Sequence, residues 1–122
     1  MRIERFEDAE VWRLARECAK KIYLRSMTGN LGKDYSFRDQ IRRSSVSIMA
    51  NIAEGLERNT NKELRQFLFI AKGSAGELRS HFYLALDIGY LEEEEFREFT
   101  ELLTKISKSL SGFIKYLNMP QK

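Results

Sequence analysis

The sequence predicts an all-α fold: an antiparallel up-down-up-down four-helix bundle, formed as a single domain over residues 1–122. Apolar residues recur at three- and four-residue steps through four segments, about 8–27, 36–57, 61–88 and 92–118. Seven glycines and one proline, Pro120, leave too little punctuation for many short strands. A chain of 122 residues with 43% hydrophobic content is large enough for one continuous core and too short for two. Four amphipathic helices on short links bury their stripes most simply by packing up-down-up-down.

In the first segment Val11, Ala15, Cys18 and Ile22 form the stripe, widened by Trp12, Ala19 and Tyr23. Asp8 is the expected N-cap, and Thr28 to Gly32 supplies the turn that ends the helix. The second helix is expected to start at Ser36, whose hydroxyl lies three residues before the Asp39 carboxylate in the manner of a capping box. Phe37, Ile41, Ser45, Ile48 and Ile52 form its stripe, and Gly55 and the Asn59-Thr60-Asn61 cluster end it. Thr60 and Glu63 then make a full capping box for a third helix, whose stripe is Leu64, Phe67, Leu68, Ala71, Ala75, Leu78, Phe82 and Leu86 and which stops at Gly89. Four carboxylates, Glu92 to Glu95, open the fourth helix, where the positive end of the helix dipole favours them. Lys105, Lys108 and Lys115 lie toward its other end, as the same dipole prefers, and Pro120 closes the pattern.

Composition narrows the function by exclusion. One cysteine, Cys18, rules out an internal disulfide, and one histidine, His81, leaves a transition-metal site short of ligands, so neither a metal nor another cofactor is expected. Ser44, Ser45 and Ser47 have no partner base with which to build a nucleophilic triad, so no enzyme is expected. A mixed-charge N-terminus and the lack of a long apolar run predict a cytoplasmic protein with no membrane partner. The net charge is +3, unevenly spread. Residues 92–122 hold five basic and six acidic side chains, whereas residues 1–91 hold sixteen basic against twelve acidic.

Two patterns exceed what folding requires. Gln40, Arg43, Ser47, Asn51 and Glu54 make a polar stripe beside the apolar one on the second helix. Either they form a satisfied network, with Arg43 paired to Glu54 or to Glu77 of the third helix, or they face another subunit or a ligand. Arg65, Lys72 and Arg79 fall seven residues apart, and Arg38 and Arg42 share a face, so basic ridges are possible. Arg13, Arg16 and Lys20 are interrupted by Glu10 and Glu17, as on an ordinary salt-bridged surface. Gly73 and Gly76 lie inside the third helix, and the expected reason is close approach of a neighbouring helix.

The run Gln40 to Gly55, with Asn51-Ile52-Ala53-Glu54-Gly55 at its end, and the run Phe67 to Leu78 closely resemble the bacterial four-helix-bundle family of the 23S ribosomal RNA intervening-sequence protein. Trp12, Ile22-Tyr23 and Gly89-Tyr90-Leu91 fit it too. The chain departs from it at Leu31-Gly32, where the family commonly has Phe-Pro, and at Met49, where it has a small residue or proline. The resemblance implies a helical bundle, often a homopentameric ring, and kinship with nucleic-acid-binding accessory proteins to the reverse transcriptases of diversity-generating retroelements. The expected function is therefore that of a non-enzymatic oligomer binding structured RNA or RNA–DNA, with Arg38, Arg42, Arg58, Arg65, Lys72 and Arg79 as contacts. Gln40, Arg43, Ser47, Asn51, Glu54 and Glu77 would hold the bundle or its subunit interface. The alternative is a scaffold that recruits a protein such as a reverse transcriptase without touching nucleic acid.

Overall fold

Apolar stripes at helical spacing fold as helices throughout: in a computed structural model describing residues 3–120 five α-helices and no strands are found. The outermost positions of the predicted domain, 1–2 and 121–122, lie outside the described residues. Helix α1 spans Glu10–Arg25, α2 Gly29–Lys33, α3 Tyr35–Leu56, α4 Asn61–Asp87 and α5 Glu93–Asn118, with a 3-10 turn at Phe6–Asp8 ahead of them. The long helices differ from their expected limits by at most two residues at an end.

Two expected caps are corrected. Asp8 belongs to the 3-10 turn, so Ala9 is the N-cap of α1 and no side chain caps it; the Asp8 carbonyl instead accepts from Arg13 Nη2 at 3.1 Å. Ser36 is already inside α3, because Asp34 reaches the cap position first and its Oδ1 accepts the Phe37 N–H at 3.2 Å. The segment expected as a plain turn after α1 contains the short helix α2, which inserts Leu31 into the core. Thr60 caps α4 by accepting the Glu63 N–H at 3.2 Å. At the other end Gly89, at φ +80°, turns the chain so that its own N–H reaches Leu86 O and the Tyr90 N–H reaches Ala85 O, a Schellman pair that satisfies two orphan carbonyls.

Helix α1 packs on α3 and α5, α4 packs on the same two, and α2 sits against α3. Between them Ile22, Ile41, Ile48, Ile52, Leu68, Leu78, Leu103, Ile106 and Leu110 are fully buried. Tyr23, expected on the α1 stripe, is instead exposed and carries the Arg42 guanidinium over its ring at 4.7 Å.

The glycine expectation reverses. A Cβ placed on Gly73 or Gly76 would meet nothing within 4 Å, so neither glycine serves a contact within this chain. Gly55 is where two helices close on each other: a Cβ there would lie 2.9 Å from Leu64 Cδ1 and 2.9 Å from Phe67 Cβ. Gly73→Ala and Gly76→Ala are each expected to raise stability by about 0.5–1 kcal/mol, the helix-propensity gain. Gly55→Ala, despite the same propensity gain, is expected to lower it by about 1–3 kcal/mol through overpacking at the α3–α4 contact. Urea unfolding of the three variants checks both signs at once.

Candidate nucleic-acid interface

The six arginine and lysine side chains expected to contact nucleic acid separate into those the fold already uses and those left over. Arg38 donates to Gly32 O at 3.4 Å and to Asp39 Oδ1 at 3.1 Å and lies over the Tyr35 ring at 4.7 Å. Arg42 donates from Nε to Ser26 Oγ at 2.7 Å. Both are half-buried and tie α3 to the end of α1 and to α2. Arg58 closes the α3–α4 connection, 3.5 Å from Glu54 and 3.7 Å from Glu63, with its guanidinium over Phe67. Arg65 spends one nitrogen on Leu117 O, at 3.2 Å, near the C-terminal end of α5. Lys72 is exposed, and neither it nor Arg79 has a hydrogen bond or ion pair among the described residues.

The Arg65–Leu117 bond fixes which way the ridge on α4 points. Residues seven apart drift only about 20° around a helix, so Lys72 and Arg79 lie on the same α5-facing side as Arg65. The ridge runs fourteen residues, about 21 Å at 1.5 Å per residue. Helix α5 answers it with Thr100, Thr104, Lys108, Ser111 and Lys115, which recur at three- and four-residue steps and so form one stripe. At one end of this seam Arg79 and Tyr83 from α4, with Thr100, Glu101, Thr104, Lys105 and Lys108 from α5, line a groove of about 640 Å³. Lys105, Lys108 and Tyr83 are not among the residues sequence reasoning singles out for binding. The lysines are accounted for by the helix dipole, and only the seven-residue spacing of Lys108 and Lys115, echoing the α4 ridge, hinted at more.

The polar stripe on α3 divides in two. Ser47 Oγ meets Ser74 Oγ at 2.9 Å, and Asn51 Nδ2 donates to Ser47 O at 2.8 Å and Ser47 Oγ at 3.1 Å, bridging α3 to α4. Ser44 Oγ donates to Glu77 Oε1, which also lies 3.9 Å from His81 Nε2. Arg43 joins neither. Glu54 is eleven residues farther along the helix, about 16 Å away along its axis, and is held beside Arg58, while Glu77 is taken by Ser44. Arg43 and Gln40 are exposed and unpartnered among the described residues. Cys18 is fully buried, and loss of hydration pushes its thiol pKa up to about 12. Among the described residues no helix is long and apolar enough to cross a membrane.

The sequence profile of the 23S rRNA-intervening sequence protein family matches residues 7–112. No curated protein matches the chain. Among solved structures, a crystal structure of a protein of unknown function from the S23 ribosomal protein family of Bacteroides thetaiotaomicron is similar, with 29% sequence identity and a TM-score of 0.80. That similarity covers 86% of this chain and 95% of the other.

Proposed function

Because the chain belongs to the 23S rRNA-intervening sequence protein family, we propose that it is a non-enzymatic, oligomeric, cytoplasmic protein that binds structured RNA or an RNA–DNA hybrid along the α4–α5 seam. The observation that carries this reading is that Arg79 of α4 and Lys108 of α5, neither in an ion pair among the described residues, line one groove, with Lys72 and Lys115 each seven residues farther along the same helix stripe. Hydroxyls of Thr100, Thr104 and Ser111 lie between these cations, and both groups are suited to phosphate oxygens. In this reading the four long helices run up-down-up-down as a single domain, so the seam is one straight edge of the bundle. A homopentameric ring would multiply the per-chain charge of +3 and the number of seams fivefold, giving a field that a monomer lacks. Gln40 and Arg43 then belong to surface that another subunit covers. Such a ring would serve as an accessory to a nucleic-acid enzyme such as a reverse transcriptase.

Light scattering at low and moderate salt, with and without a structured RNA, tests the reading. A mass of several chains, with RNA bound at low salt and released as salt rises, is the expected result. Lys72→Glu is expected to weaken RNA binding about tenfold and to lower the salt slope by roughly one or two, since each phosphate contact contributes about one. Unchanged affinity would remove the α4 ridge from the interface. A second reading, a protein-binding scaffold with no nucleic-acid contact, draws on the exposed Phe69, Ile70 and Leu84 of α4 and Ile88 just past its end. In that case the charge reversal leaves partner binding intact, and a Phe69→Ser, Ile70→Ser variant abolishes it.

A further inference from the structure

The groove at the Arg79 end of the seam differs from the rest of it in shape, charge and chemistry. It is an open concavity of about 640 Å³ between the two helices. Three cations, Arg79, Lys105 and Lys108, line it together with one carboxylate, Glu101, and none of the four has an ion pair among the described residues. Lys105 follows Glu101 by one helical turn, the spacing at which surface pairs form, yet no bridge closes between them. Tyr83 stands at the same groove with 60% of its surface exposed, its ring held edge-on against Phe96 at 4.9 Å.

We propose that this groove binds a nucleoside 5′-phosphomonoester, presented as the phosphorylated 5′ end of an RNA strand. The inference rests on the RNA-binding reading given above and assigns one end of the seam a distinct task. The groove's surplus of two positive charges matches a terminal phosphomonoester, which carries about two negative charges near neutral pH, better than a backbone diester, which carries one. Arg79 supplies a planar fork for two phosphate oxygens, and the lysines supply point charges that follow the third. The exposed face of Tyr83 offers the terminal base a stacking platform, with Phe96 fixing the ring so that little freedom is lost on binding. Glu101 only accepts hydrogen bonds when ionised. A bare phosphate would leave it repelled and unpaired, whereas the 2′-hydroxyl of the terminal ribose, present only in RNA, gives it a donor.

The test compares one short oligoribonucleotide, labelled at its 3′ end, bearing either a 5′-phosphate or a 5′-hydroxyl, by fluorescence anisotropy at fixed salt. The phosphorylated RNA is expected to bind about tenfold more tightly, the scale of one charge-assisted contact set. Tyr83→Ala, and separately Lys105→Gln, are expected to erase most of that preference while the hydroxyl-ended RNA still binds through the rest of the seam. Lys105 is exposed, so Lys105→Gln keeps the fold intact even if Tyr83→Ala disturbs Phe96. Equal affinity of the wild type for the two RNAs overturns the end-binding site and leaves the RNA reading standing. If neither RNA binds, the RNA reading fails, and titration with adenosine 5′-monophosphate decides the groove alone. Shifts of the Tyr83, Thr100 and Thr104 amide signals would then assign it to the free nucleotide, and unmoved signals would overturn it.

Discussion

Phe82→Ala is expected to lower the stability of the fold by about 3–5 kcal/mol, the range for emptying a buried aromatic site, and to drop the melting temperature on the order of 15 °C. Phe82 is 1% exposed and packs on Phe99 of α5 with ring centroids 5.0 Å apart. It also shares one small void with Ile22 of α1, Leu31 of α2, Ile41 of α3 and Leu91 of the last connection. Every helix therefore contributes a side chain to its surroundings, so the hole left by alanine has walls on all sides and cannot collapse without moving several elements together. Phe82→Leu fills most of the volume and is expected to cost less than half as much. Thermal and urea unfolding followed by circular dichroism check both. A loss below about 1 kcal/mol for the alanine variant would mean that the surrounding helices close up around the gap.

That convergence was only partly legible in the sequence. The 3.6-residue periodicity identified the long helices because each buries one continuous stripe, and Phe82 could be placed in its stripe from Leu64, Leu68, Ala71, Ala75 and Leu78. Leu31 could not, because it belongs to a five-residue helix, α2, too short to display a period and opened by two residues that read as a turn. Caps were legible where one candidate stood alone, as at Thr60, and misread where two competed. Asp34 and Ser36 are two residues apart, and tertiary context chose between them by giving the second Asp34 oxygen a partner, the Tyr90 hydroxyl at 2.7 Å.

The candidate site was legible along single helices and not across them. Arg65, Lys72 and Arg79 form a ridge by spacing alone, but the meeting of Arg79 with Lys108 at one groove depends on how α4 packs against α5. Arginine is the residue that sequence reading separates worst, because a guanidinium that ties loops together and one that waits for phosphate have the same local pattern. Arg38, Arg42 and Arg58 each turn out to hold a connection, and each does so over an aromatic ring three to nineteen residues away in the chain. The glycines mislead for a related reason. Gly55 looked like a helix terminator and is a contact point, whereas Gly73 and Gly76 looked like contact points and face open space.

Arg25→Ala is expected to cost about 2 kcal/mol at neutral pH, and the cost is expected to shrink in acid. Arg25 reaches from the last turn of α1 to three places: Nε donates to Glu95 Oε2 at 2.5 Å, Nη2 donates to Tyr90 O at 2.8 Å and to Glu95 Oε1 at 3.3 Å, and Nη1 donates to Thr28 O at 3.5 Å. The pair is a quarter to a third exposed, so its charges are worth more than those of a surface bridge and less than those of a dry one, and the figure follows charge-assisted hydrogen bonds discounted for solvent. The hydrogen bond from Arg25 holds the Glu95 carboxyl below its ordinary pKa, against the opposing effect of partial burial, with the Glu92 N–H helping at 3.1 Å. A carboxyl whose folded pKa is depressed contributes stability that is fully present above its unfolded pKa, about 4.3, and is lost as pH falls through the folded value. Asp34 is shifted in the same direction, chiefly by the Tyr90 hydroxyl, so this end of the bundle is expected to loosen first on acidification. The gap between wild type and Arg25→Ala, measured by urea unfolding, is therefore expected to be constant from neutral pH down to about pH 5 and to narrow below about pH 4. Arg25→Lys keeps the charge but loses the forked geometry and should recover less than half of the loss. A gap that stays constant down to pH 2 would assign the cost to the packing of the arginine stem and its bonds to the Tyr90 and Thr28 carbonyls instead of its bond to Glu95.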